Sequence, residues 1–214
     1  MFDSGGLNRK QDMTFRIDRP LIHLVYIVPI VVGACVWYGN RPLTHGPGAV
    51  APRAPVQRPA EGAATFEYRN CAVTPLARFG GTARVLSRKN YSFGKAAKLC
   101  PVDVALGWGP MSDERVLDKM SICQFDRCYM WSIKELAMSR VEIEQNSANM
   151  HMIPATPEIK KLLKILKEGN LVEFEGYLVE VAAPDGWRWR SSLSRSDTGS
   201  GACEVVWVEE LKVL

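Results

Sequence analysis

The residues of this chain that could do chemistry gather in three stretches. "DGWRWRSSLSRSDTGSGACE" (185–204) brings together Trp187, Trp189, Arg188, Arg190, Arg195, Asp197 and Cys203. "ALGWGPMSD" (105–113) sets Trp108 between two glycines with Asp113 behind it, and "SANMHMIPA" (147–155) carries Asn149 and His151. Covalent catalysis needs a thiol or hydroxyl beside a base, and a group that stabilises an oxyanion. The set that meets this description is Cys203 with His151 as base and Arg188, Arg190 or Arg195 as the positive group. A purely binding site draws on the same residues. Arginine offers planar, bidentate recognition, so Arg188, Arg190 and Arg195 beside Asp197 and the neighbouring hydroxyls suit an anionic or glycan-like ligand. Trp108, Asp113, Asn149 and His151 would line that site if Trp108, His151 and Arg188 or Arg190 meet in one cleft.

Other motifs are weaker. "DTG" (197–199) matches the aspartic-protease triplet, but the partner "DSG" (3–5) precedes a long apolar segment, so the two cannot form one site. The chain has three histidines and no CxxC pair, so neither a metal nor any other cofactor is expected. Cys71, Cys100, Cys123, Cys128 and Cys203 form an odd set, which leaves one thiol over after two bridges. Cys123 and Cys128 would staple a hairpin if "QFDR" is its turn.

Hydropathy and turn signals supply the elements that must position these groups. "TFEYRNCAV" (65–73) and "TARVLSRKNYS" (82–92) are strand-like, with "RFGG" as a turn between them. "MSDERVLDKM" (111–120) reads as a short helix capped by Ser112, and "SICQFDRCYMWSI" (121–133) as a long strand or hairpin. A helix over 157–168 is capped by Thr156, starts at Pro157, buries Ile159, Leu162, Leu163 and Leu166, and stops at Gly169. Strands follow at 170–181, 186–193 and 202–211. In the first of these the apolar phase switches at Gly176, which predicts a bulge or sharp bend there. In the second, period two puts Trp187 and Trp189 on one face and Arg188 and Arg190 on the other. The pattern predicts an α+β domain with a strongly bent antiparallel sheet, or a small OB-like β-barrel, with one or two helices.

Charge and hydropathy organise the rest. The formal net charge is +4, but from Thr65 onward 20 Lys and Arg face 19 Asp and Glu, too even a balance for a strong phosphate-attracting field. Residues 21–38 carry no charge and would span about 27 Å as a helix. Arg9, Lys10, Arg16 and Arg19 precede them, so the positive-inside rule places residues 1–20 in the cytoplasm and the domain outside. A buried core helix and a lipoprotein signal with Cys35 as the lipidated residue of "VGAC" are the alternatives to a retained transmembrane helix. Residues 39–64, rich in Pro and Gly, read as an extended linker reaching up to about 75 Å, and 65–214 as the domain.

Two resemblances bear on function. "NMHMIPATPEIKKLLKILKEGNLVEF" is similar to the His-containing segment of sortase-type transpeptidases, which implies a thiol hydrolase or transpeptidase using Cys203 and His151. No "TLxTC"-like strand end is present, however, and no Arg follows Cys203. "ALGWGPMSD", "SANMHMIPA" and the 185–204 stretch resemble the signature segments of a group of uncharacterised bacterial membrane-anchored proteins. That resemblance covers most of residues 66–211 and brings no activity with it. The resulting expectation is a single-pass inner-membrane protein with a periplasmic binding domain, working in an envelope protein complex or on an anionic or glycan ligand. The alternatives are the thiol enzyme and an OB-like nucleic-acid-binding module using Trp187, Trp189 and Arg188.

Overall fold

The computed structural model describes residues 19–39, 41–135, 138–194 and 202–214, with side chains from residue 25. It divides into two units, Met1–Arg41 and Pro42–Leu214. In the first, α1 (Arg19–Gly39) contains Pro29, and its large apolar side chains from Val25 to Tyr38 are exposed. The Arg41 guanidinium lies 3.9 Å from the centre of the Trp37 ring, a cation–π contact beyond the helix end. Among the described residues no helix is long and apolar enough to cross a membrane.

The second unit is α+β and strand-rich. In chain order it holds β1 (Val56–Pro59), β2 (Phe66–Tyr68), β3 (Cys71–Asn90), α2 (Lys95–Leu99), β4 (Val102–Gly107), a 3₁₀ turn (Gly109–Ser112) and α3 (Glu114–Leu117). After these come β5 (Met120–Phe125), β6 (Cys128–Ile133), α4 (Arg140–Gln145), β7 (Ser147–Pro154), α5 (Pro157–Ile165), β8 (Leu171–Ala182), β9 (Arg188–Arg190) and β10 (Glu204–Val213). β3 pairs with β4, β4 with β7, β7 in parallel with β10, and β10 with β8. β8 then pairs along its whole length with the first part of β3, so the strongly bent sheet returns to its starting strand.

Side-chain alternation explains what fills it. Val102, Val104 and Leu106 of β4, Met150 and Met152 of β7, Val206 and Val208 of β10 and Phe174 and Leu178 of β8 point inward with Phe79 and Val85 of β3. Phe79 and Phe174 meet edge to face, ring centres 5.5 Å apart. Each such buried side chain contributes about 1.5–3 kcal/mol relative to exposure. The opposite faces of the same strands are also covered. Val179 and Val181 join Val73, Leu99, Ile153, Val205 and Trp207 in a second apolar layer, against which Phe66, Tyr68, Trp187 and Trp189 pack.

That double coverage corrects two sequence expectations. "RFGG" is no turn: β3 runs through it for 20 residues, and the true turn is Arg69–Asn70, both at positive φ, between β2 and β3. Gly80 is needed because a Cβ there would approach the Phe174 carbonyl oxygen to 2.5 Å. The apolar phase of β8 also passes unbroken through Gly176, since Phe174, Gly176 and Leu178 share the inner side. The change of phase reflects Val179 and Val181 being buried by the outer layer. The bulge belongs to the partner strand, between Val208 and Glu210, opposite Gly176.

The Pro-rich stretch also differs from a free linker. Leu43 N–H donates to the Glu168 carbonyl, Gly48 N–H to Asp113 and Ala51 N–H to Ser112 Oγ. Ala51 is fully buried, and Val56–Pro59 pairs with β3 as β1. Few apolar side chains were needed, because backbone hydrogen bonds to the domain replace those lost to water. The cap of α3 is Asp113 rather than Ser112, its carboxylate accepting from Arg115 N–H. Thr156 caps α5 as expected, with Gly169 at φ 85° beyond its end.

Candidate functional site

The outward positions of β4 and β7 build the site. Asp103 and His151 are register partners across this antiparallel pair, so their side chains rise side by side from the outer face. Both are sealed from solvent, at 0% and 4% exposure. A hairpin lies over them. β5 and β6 are joined by a two-residue turn, Asp126–Arg127, at φ 47° and 64°, the left-handed geometry that matches strand twist in a tight hairpin.

The hairpin tip is tied down by polar contacts. Arg127 N–H donates to Tyr91 Oη (3.1 Å), and the Arg127 carbonyl accepts from Asn149 Nδ2 (2.9 Å). Gln124 Nε2 donates to Asn149 Oδ1 at 2.6 Å. The Arg127 guanidinium lies 3.7 Å from the centre of the Tyr91 ring and reaches down into the site. Its Nη1 is 2.7 Å from Asp103 Oδ1 and 3.6 Å from Cys100 Sγ, and its Nη2 donates to the Cys100 carbonyl at 3.1 Å.

Cys100 completes the floor. Its thiol lies 3.4 Å from Asp103 Oδ1 and 3.2 Å from the Val102 carbonyl. Burial, reinforced by the Asp103 charge, pushes this thiol well above its ordinary pKa. His151 Nδ1 is 3.0 Å from the same Oδ1, while its ring packs 4.7 Å from Trp189. The contact lacks hydrogen-bond geometry: Asp103 Oδ2 and His151 Nδ1 are buried without a hydrogen-bond partner.

The residues singled out from sequence separate into groups. Asn149 and His151 lie together under the hairpin. Trp108 is on the other side of the sheet, buried in the interior with its indole N–H on the Gln145 carbonyl at 3.2 Å. Asp113 is a helix cap, its carboxylate held well below the usual range by Arg115. Arg188 and Arg190 project away from Trp189 and both pair with Glu180 on the exposed surface of β8. Trp108, His151 and these arginines therefore line no common cleft, because period two turns them to different faces. Arg195 and Asp197 lie outside the described residues.

Cys203 has Asn149 Nδ2 at 3.9 Å and the Arg127 carbonyl at 4.0 Å as its neighbours. Burial raises its thiol to about 11; the contact from Asn149 opposes this, and nearby Glu204, Cys128 and Asp103 add smaller raising effects. Neither this thiol nor that of Cys100 is an ionised nucleophile at neutral pH. All six cysteines are free, and in the hairpin Cys128 faces Phe125 while Cys123 faces Met130. Sequence reasoning missed Cys100, Asp103, Arg127 and Tyr91. The available signal was an acid in an otherwise apolar strand, "CPVDVALG", which places one charge among buried positions. The chain matches no protein family, no curated protein and no solved structure.

Proposed function

We propose that this chain is a single-pass, inner-membrane-tethered protein whose periplasmic domain is an OB-like binding module that docks an envelope protein. The observation that carries the reading is the strand path β3-β4-β7-β10-β8 returning to β3, with one parallel pair, β7–β10, and α5 between β7 and β8. In OB-like barrels the second and third strands and the loops joining first to second and fourth to fifth strands form the binding face. Here those strands are β4 and β7, and those loops are 91–101 and 183–203.

The two loops meet. Lys95 pairs with Asp185, and its ammonium lies 5.1 Å from the Trp187 ring centre. Beside this contact Phe93 is 93% exposed, and Phe125 on the hairpin is 70% exposed. Solvated aromatic side chains flanked by cations suit protein docking, in which a few aromatic anchors supply most of the affinity. The near-even charge of the domain favours a protein over a polyanion. The tether is supported by residues 20–40, which carry no charge, and by the solvent-facing apolar side chains of α1.

The test has two arms. Alkaline phosphatase fused to the C-terminus is active and a fluorescent-protein fusion dark if the domain is periplasmic; the reverse pattern overturns the topology. A photoreactive residue replacing Phe93 cross-links one envelope protein in cells, while the same residue replacing exposed Val141 on α4 does not. Equal cross-linking from both positions, or none from Phe93, overturns the docking face.

A further inference from the structure

We propose that Cys100, Asp103 and His151 form a site for one thiophilic transition-metal ion, zinc by preference, and that Arg127 competes with the ion for it. The three donor atoms lie within 4.8 Å of one another, and all three residues are buried. Sulfur, nitrogen and carboxylate oxygen in one set are the donors zinc takes. Two of the three spacings fit a shared ion as they stand. With metal–ligand lengths of about 2.3 Å to sulfur and about 2.0 Å to nitrogen or oxygen, the 3.4 Å between Sγ and Oδ1 and the 3.0 Å between Nδ1 and Oδ1 each subtend about 100° at a shared ion, close to tetrahedral.

A second observation points to a missing partner. Asp103 Oδ2 and His151 Nδ1 make no hydrogen bond although both residues are more than nine-tenths buried. An orphaned buried polar atom of this kind costs about 1–3 kcal/mol, and an ion held beside the Asp103 carboxylate gives His151 Nδ1 the partner it lacks. His151 reaches the ion through Nδ1 as the neutral imidazole.

Arg127 sets the terms of binding. Its guanidinium supplies the positive charge now facing Asp103, and its side chain is 20% exposed at the tip of the hairpin. Metal entry releases the Cys100 thiol proton to solvent, and the thiolate and the Asp103 carboxylate together neutralise a divalent ion. Arg127 is then a surplus cation beside another cation, and it swings out toward the solvent that its side chain already partly meets. Three protein donors leave one coordination position open, as in zinc sites that accept a water or an incoming group. The inference does not depend on the docking face proposed above.

The experiment uses the full chain in detergent, with Cys35, Cys123, Cys128 and Cys203 replaced by Ser to remove the other accessible thiols. After chelator treatment the protein is titrated with Co2+, and the thiolate-to-cobalt charge-transfer band is followed, then its loss on adding Zn2+. One equivalent with a tetrahedral d–d spectrum is expected. Cys100→Ser abolishes the band and Asp103→Asn weakens binding at least about tenfold. Arg127→Gln tightens it by at least about tenfold, an effect that a merely structural arginine would not have. No band in the starting protein, or a band retained in Cys100→Ser, overturns the site. Unchanged or weaker affinity in an Arg127→Gln protein with native near-UV dichroism overturns the competition. If Arg127→Gln does not fold, release of the guanidinium is read in the starting protein, as loss of Arg127 side-chain NMR contacts to Tyr91 on adding Zn2+; persistence of those contacts in the metal-bound form overturns it equally.

Discussion

Asp103 and His151 stand side by side on the outer face of the β4–β7 pair, 3.0 Å apart, and are as inaccessible to water as the apolar interior of the bent sheet. Two polar side chains on the outside of a sheet are ordinarily solvated. Here the β5–β6 hairpin closes over them and brings Arg127, so this outer face of the bent sheet becomes a buried polar cluster. The hairpin thus acts as a cover over β4 and β7.

Removing the guanidinium should expose the cost of that cover. Arg127→Ala removes the cation paired with the buried Asp103, and breaking a buried pair in this way costs about 3–5 kcal/mol. Arg127 is partly exposed, so water entering the vacated space reduces the loss to about 2–4 kcal/mol. Urea unfolding checks it. The double variant Arg127→Ala/Asp103→Asn should recover at least half of the loss, because no charge is then left behind; a double variant as unstable as the sum of the two single ones refutes the pairing.

Legibility in the sequence followed the reach of each interaction. Local signals were sufficient for the start of α5, where Thr156 and Pro157 mark the N-terminus, and for the Trp/Arg alternation of β9, while α5 ends at Ile165, ahead of the expected stop at Gly169. They were sufficient for a strand-rich α+β unit but failed at "RFGG". Glycines in a turn and glycines in a bent strand look alike until the close approach of β8 is known. The candidate site was hidden for a related reason. Its residues come from "KLCPVD", "FDRC" and "NMHM", and only the pairing of β4 with β7 and the fold-over of the hairpin bring them together. No spacing rule relates Cys100 to His151.

Gly176 tests the account of the bent sheet. Its Cβ position is filled by the Trp207 carbonyl, with Glu209 N at 3.2 Å, where β10 bulges. Backbone cannot yield as a flexible side chain does. Gly176→Ala should therefore cost about 3 kcal/mol or more. Gly46→Ala, where nothing lies within 4 Å and φ is unrestricted, should change stability by no more than about 0.5 kcal/mol. Comparable urea midpoints for the two variants would remove the close approach as the reason for glycine at 176.

Cys203 separates thiol catalysis from packing. With its pKa at about 11, it is protonated throughout the neutral range, whereas alkylation requires the thiolate. In folded protein at pH 8, iodoacetamide should label exposed Cys123 and Cys128 well before Cys203, and unfolding should abolish the difference. Mass spectrometry of partially labelled protein reads the order directly. Labelling of Cys203 first would mark it as an activated nucleophile and return weight to a thiol hydrolase or transpeptidase paired with His151.

Acid sensitivity should follow Glu114, which fastens the 42–51 segment to the domain. Its Oε2 accepts from His45 N–H at 2.7 Å and from Arg84 Nη2 at 2.6 Å. Burial works to raise its carboxyl, but the His45 N–H and the Arg84 guanidinium together outweigh this and hold the pKa below the ordinary 4.5. A carboxylate whose folded pKa is depressed contributes stability that is fully present above its unfolded value and is lost as pH falls through the folded one. The wild-type chain should therefore keep its urea midpoint from pH 7 to about pH 5 with respect to this group, then lose stability below about pH 4.5. Glu114→Gln should start lower at pH 7 and fall less steeply in acid. Parallel curves for the two proteins would show that this carboxylate does not couple the docked segment to folding.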